Sequence, residues 1–148
     1  MRLGADLRKA GADMYTIKDV ARIVGESEHT IRFYAKEGLF PFLTRDKNNV
    51  RQFTEPDLEG VRIVLCLRDT GMPLGEIRQY MELCKQGDST LEARLAIIQT
   101  QKDRANAQLN AIRARITHLE QKEQMYLAAI RGERQDLCNP VVSYSTSK

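Results

Sequence analysis

The sequence predicts a mainly α chain: a winged helix-turn-helix head with a small two-stranded wing, then a long coiled-coil helix. Three observations predict this. Glycines, prolines and hydroxyl caps cut the N-terminal half into short helical segments. One stretch, LFPFLTRDKNNVRQF, sets strand-forming residues around a polar turn. Residues 89–131 hold a heptad pattern with neither Gly nor Pro before Gly132. The composition agrees: at 42% hydrophobic and 29% charged the chain is too charged for a membrane protein and too apolar for a disordered one. Its 148 residues suffice for one domain, or a small domain plus one long element.

Residues 1–13 read as an N-terminal extension, with Met14 a sensible start of the folded part. The head spans 14–88. Thr16 and Asp19 have capping-box spacing, Val20, Ala21 and Val24 form an apolar stripe, and Gly25 ends it. Ser27 caps a second helix that runs to about Glu37, with Gly38 in the left-handed position. Two short helices around a glycine turn are a helix-turn-helix. Pro41 excludes helix from the next stretch. Phe42, Leu43, Val50 and Phe53 suit strands, and Asp46 to Asn49 suit a turn. Thr54 opens a third helix with Pro56 in its first turn, Gly71 closes it, and a fourth helix occupies about 74–86, stopped by Gly87.

Ser89 and Glu92 again have capping-box spacing, opening a helix over 89–131. From Leu91 the positions Leu95, Ile98, Lys102, Ala105, Leu109, Ile112, Ile116, Leu119, Glu123, Tyr126 and Ile130 alternate steps of four and three. All but Lys102 and Glu123 are apolar, which makes an a/d seam on a rod about 60 Å long. A lone rod cannot bury such a seam, so a second copy of the chain is the expected partner. The alternative is a helix folded back on its own head. Residues 132–148 read as a loosely ordered tail.

The second helix offers Glu28, His29, Arg32, Tyr34 and Lys36, and the wing offers Arg45, Lys47, Asn48 and Arg51. Arginine engages guanine or phosphate through two nitrogens, and tyrosine can bond a phosphate while packing on sugar. The net charge of +3 is compatible with a nucleic-acid partner.

Three segments, YTIKDVARIVGESEHTIRFYAKEGL, RDKNNVRQFTEPDLEGVR and LCLRDTGMPLGEIRQY, resemble the head of MerR-type transcriptional regulators. The resemblance covers about residues 14–86 and continues into the coiled coil. It implies DNA contacts by Arg32, Tyr34, Arg45 and Arg51, with Asn48 and Phe53 as lesser candidates and Arg62 and Arg68 as outlying ones. It also implies a dimer on double-stranded promoter DNA with an over-long spacer, which the protein bends and untwists so that RNA polymerase engages both promoter elements. Two residues depart from the family pattern: Asn49 stands where glycine is frequent in the wing turn, and Ala35 replaces a common acidic residue.

The residues after the rod are too few for an independent ligand-binding core. Among small signals, an electrophile or redox signal at Cys66 is the leading expectation, because LCLRDTGM and QGDSTLEARL resemble a MerR subgroup linked to aldehyde and nitrosative stress. Arg62 would favour the thiolate and Asp69 oppose it, while Leu65 and Leu67 suggest partial burial as a small hydrophobe. Cys84 and Cys138 are too few for a soft metal site without a nearby histidine, since His118 falls mid-rod and His29 in the second helix. No metal site and no cofactor are expected. Three cysteines at unmatched spacing point to the cytoplasm, and no stretch is apolar enough to span a membrane. No catalytic constellation occurs, so the chain is read as no enzyme. Two alternatives to this reading are a metal-responsive MerR-type regulator and an architectural, excisionase-like DNA-binding protein.

Overall fold

The computed structural model describes residues 14–136. The elements are α1 (Ile17–Val24), α2 (Glu28–Lys36), β1 (Thr44–Arg45), β2 (Arg51–Gln52), α3 (Glu55–Asp69), α4 (Leu74–Gln86), a 3₁₀ turn (Asp88–Thr90) and α5 (Leu91–Ile130). The described residues form two compact units that divide after Lys102. The mainly helical fold with a two-stranded wing and a long final helix is the one the sequence predicts.

In the first unit every helix buries one face into a common core. Val20, Ile31, Leu39, Phe53, Leu58, Val61, Val64 and Ile77 are sealed from solvent. The helix starts match their caps. Thr16 and Thr54 each accept from the backbone N–H three residues on, while Asp19 and Asp57 return the bond to the cap N–H. Gly25 lies at φ +76° and turns the chain from α1 into α2, a backbone that a Cβ would strain.

Between α2 and α3 the strands are shorter than the residue types suggest. Phe42 and Leu43 precede β1, and Val50 lies exposed in the turn. The aromatics are used in packing instead. Phe40 meets Phe42 at 6.0 Å and Phe53 edge-on at 6.0 Å. Phe53 also exchanges two backbone bonds with Tyr15, of 2.8 and 3.0 Å, tying the start of the described chain to the base of the wing.

The capping box expected at Ser89 does not form. Asp88–Thr90 is already a 3₁₀ turn, so Ser89 is inside a helical turn rather than at its cap. Thr90 is buried, and its hydroxyl donates to the carbonyls of Leu83 and Gly87 at 2.7 Å, closing the end of α4. The first unit therefore extends beyond the expected division at residue 88, through Lys102. Thr90, at the end of the 3₁₀ turn, and Arg94, Ile97 and Gln101 of α5 form one stripe that faces the head. Arg94 bonds Thr90 and the Gly87 carbonyl, Ile97 packs on the core, and Gln101 donates to the Thr70 carbonyl at 2.8 Å. The predicted seam runs one residue further on and stays exposed at Leu91, Leu95 and Ile98.

In the second unit α5 is open on almost all sides. Leu109, Ile112, Ile116, Leu119 and Tyr126 remain exposed along one line. Gly132, at φ +77°, ends the helical turn, and Arg131 pairs with Glu133 at 2.9 Å. The 1–13 extension and Cys138 fall outside the described residues. Among the described residues no helix is long and apolar enough to cross a membrane.

Candidate nucleic-acid interface

Helix α2 has a sharply divided surface. Ile31 and Tyr34 are buried, whereas His29, Arg32, Phe33 and Lys36 are all exposed. Their spacing of three, one and three residues places them on a single face. Arg32 has only a 3.9 Å exposed contact with Glu28, weak enough to leave the guanidinium available.

Both ends of α2 are held by arginines from elsewhere in the chain. Arg68 of α3 binds Glu26, in the turn before α2, at 2.7 Å, and Asp69 at 2.8 Å. It also lies 6.0 Å from the Tyr34 ring centre. Glu26 first, then Tyr34 and Asp69, raise the Arg68 pKa and hold it protonated. Arg78 of α4 donates to the Glu37 carbonyl at 2.5 Å, satisfying an orphan acceptor at the C-terminal end of α2. The sequence alone marked Arg68 as an outlying phosphate contact and did not mark Arg78. Their partners lie 42 and 41 positions away, and local spacing carries no signal of either.

The wing is organised by one carboxylate. Asp46 accepts from the backbone N–H groups of Asn48 at 2.8 Å and Val50 at 2.9 Å, and from the Gln52 amide at 3.1 Å. The Val50 bond foremost, with those of Asn48 and Gln52, holds the Asp46 carboxyl below its ordinary value against a smaller opposing effect of burial. Asn49 takes φ +63°, the left-handed turn position that glycine often fills, which asparagine tolerates. Lys47 and Asn48 are exposed at the tip.

Across the wing Arg45 pairs directly with Arg51. Like charges in facing positions destabilise an antiparallel ladder. Burial, then Arg45, then Arg32 of α2 push the Arg51 guanidinium below its ordinary pKa. Arg32, Arg45 and Arg51 thus share one positive field assembled from helix and wing. Arg45 donates to the Asn49 carbonyl at 3.1 Å, and Arg32 keeps its weak contact with Glu28.

Two expected interface residues belong to the interior. Phe53 is fully buried, with both backbone polar groups bonded to Tyr15, so its side chain packs at the base of the wing. Tyr34 is 7% exposed, with most of its ring in the core beneath Arg68. The exposed aromatic of the pair is Phe33, at 43%.

Cys66 also differs from expectation. Leu65 and Leu67 face the core and Cys66, between them, faces solvent, so it is not a packed hydrophobe. Arg62 is paired with Glu59, and Asp69 with Arg68. Cys84 is half-buried, with an Arg94 nitrogen 3.8 Å from its sulfur. Burial, followed by this thiol, pushes the neighbouring Tyr80 phenol up. Among the described residues no three His, Cys, Asp or Glu side chains come together as a metal site.

Comparison with known proteins places this geometry. A family described as MerR HTH family regulatory protein matches residues 15–84, and one described as MerR, DNA binding matches 58–122. An HTH-type transcriptional regulator of Haemophilus influenzae is 36% identical over 115 residues, covering 78% of this chain and 85% of the relative. The regulator AdhR of Bacillus subtilis is 31% identical over 88 residues, 60% of this chain and 63% of the relative. Among solved structures, a MerR family regulator from Bacillus thuringiensis superposes with TM-score 0.63 at 34% identity, covering 77% of this chain and all of that one. HiNmlR, described as a MerR family regulator lacking the sensor domain, bound to promoter DNA, superposes with TM-score 0.62 at 35% identity over 80% and 94% of the two chains. The family and these relatives are DNA-binding transcriptional regulators, not enzymes. On the winged head, the two family matches and the relatives together, the chain belongs to the MerR family of HTH transcriptional regulators.

Proposed function

We propose that the chain acts in the cytoplasm as a homodimer on a pseudo-palindromic promoter with an over-long spacer. It distorts that DNA so that RNA polymerase engages both promoter elements. The observation that carries this reading is the convergence of Arg32, Arg45 and Arg51. Two facing arginines and a third from α2 cost the free protein stability, and a phosphate backbone is the polyanion that offsets the cost. Lys36, Lys47, His29 and Asn48 extend the same surface. The exposed line from Leu91 to Tyr126 is the surface through which two chains pair in an antiparallel coiled coil, since an amphipathic helix with its apolar stripe in water lacks a partner.

The test is duplex binding as a function of salt. Log affinity should fall linearly with log salt, and Arg32→Ala, Arg45→Ala and Arg51→Ala should each weaken binding and reduce the slope by about one. Salt-independent binding, or three variants with the wild-type slope, would remove the reading. Transcription in vitro from templates differing only in spacer length separates a promoter-distorting activator from an excisionase-like binder, which would be indifferent to the spacer.

The exposure of Cys66 favours an electrophile or redox signal over a metal. Cys66 sits on α3 two residues from Arg68, which ties that helix to Glu26 and Tyr34. An adduct on this sulfur therefore acts on the helix that supports α2. Promoter activation by wild type and Cys66→Ala, compared across an aldehyde, a nitrosating agent and divalent metals, tests it. An alanine variant that responds to every inducer as wild type does removes Cys66 from the signal path.

A further inference from the structure

We propose that Phe33 is a specificity-determining residue that reads the C5 methyl of a thymine in the major groove. The proposal rests on α2 being the helix that enters that groove. On the exposed face His29, Arg32, Phe33 and Lys36, three members can carry positive charge and the fourth is a phenyl ring 43% exposed to water. A ring so placed is unfavourable in the free protein. It is not one of the buried residues of α2, which are Ile31 and Tyr34. The surrounding cations select an anionic partner, and the ring requires that partner to have an apolar spot among its charges. On the base edges of duplex DNA the major groove offers one such group, the thymine methyl.

The ring is also pre-positioned. Phe33 contacts the Tyr34 ring at 5.9 Å with a 48° tilt, and Tyr34 is itself buried and covered by Arg68. A side chain oriented from behind by a core aromatic loses little freedom on binding, which favours its use as a reader over a mobile contact. The neighbouring Arg32 is placed to hold a phosphate or guanine beside it. The pair would thus recognise a thymine next to an anchoring contact.

The test uses duplexes selected from a randomised pool by the full-length chain. Wild type should select thymine at one position of each half-site, and Phe33→Ala should lose that preference while Phe33→Leu keeps part of it. Replacing that thymine by deoxyuridine removes only the methyl. It should weaken wild-type binding about fourfold per half-site and leave Phe33→Ala unchanged. Selection of the same sequence by Phe33→Ala, or a wild type indifferent to deoxyuridine at every selected thymine, overturns the proposal. The deoxyuridine measurement needs no variant, so misfolding of Phe33→Ala cannot obscure it. Arg32→Ala separates this failure from a wrong placement of α2. If the helix lies in the groove but Phe33 reads nothing, Arg32→Ala still weakens binding; if the helix lies elsewhere, neither variant changes it.

Discussion

Gly60 lies inside α3, where alanine is ordinarily the better residue by about 0.5–1 kcal/mol. In this chain Gly60→Ala should destabilise. A Cβ there would stand 2.6 Å from Phe42 Cζ and 2.7 Å from Cε1. Carbon atoms rest at roughly 3.5–4.0 Å, so the ring must retreat by about 1 Å. It is not free to do so without loss, because it packs on Phe40, which packs edge-on to the fully buried Phe53. Overpacking of this kind costs about 1–3 kcal/mol, and part of an aromatic contact worth about 0.5–1.5 kcal/mol is lost with it. Setting the helix gain against these terms leaves a net destabilisation of about 1–2 kcal/mol. Urea titration followed by far-UV circular dichroism reads this directly. A Phe42→Ala background supplies the control: with the ring gone, alanine at 60 should become neutral or stabilising. A Gly60→Ala single variant as stable as wild type would show that Phe42 swings aside without cost, and the packing argument would fail.

Three further outcomes are expected. Gln101→Ala removes the donor to the Thr70 carbonyl at the end of α3 and should cost about 1–3 kcal/mol in the same titration; an unchanged midpoint would mean that solvent replaces the amide. Because the Asp46 carboxyl is held below its ordinary value in the folded wing, its contribution is fully present above the unfolded carboxylate range of about 4 and is lost as pH falls through the depressed folded value. Protection of the Asn48 and Val50 amides, measured against their intrinsic exchange rates at each pH, should fall across that interval, and Asp46→Asn should show the lower protection at neutral pH. Ile112→Arg, in the middle of the exposed α5 line, should shift sedimentation from dimer to monomer while thermal unfolding of the head remains cooperative; a dimer that survives it would place the interface elsewhere.

Most of the fold was legible because its punctuation is local. Thr16, Gly25, Ser27, Thr54, Gly71 and Gly87 act within a turn of their own positions, and each delimits the helix it was expected to delimit. Ser89 is the exception. Its spacing matched a cap, but Thr90 is drawn into the carbonyls ending α4, and that long-range demand outweighs a local preference. The proposed binding face was legible in residue type and not in direction. Period counting could not decide which aromatic of Phe33 and Tyr34 faces inward, since that depends on where α3 and Arg68 lie. Likewise Cys66 sits between two leucines that both turn inward, so neighbours in sequence were a poor guide to its exposure. The stripe of Thr90, Arg94, Ile97 and Gln101, which begins in the 3₁₀ turn and runs along α5, was masked by the stronger apolar period beside it, because three of its members are polar.

The facing arginines of the wing also bear on how binding should be measured. A free protein that holds Arg45, Arg51 and Arg32 in one field should draw small anions from the buffer. Those anions must leave before a phosphate can arrive, so the buffer anion is a competitor with its own affinity and not only a screening medium. Chloride and a bulky, weakly associating anion such as glutamate, compared at equal ionic strength, should then yield different apparent affinities for the same duplex. The wing would act as an anion exchanger in miniature, with an exchange constant set by the arginines and by the anion they release.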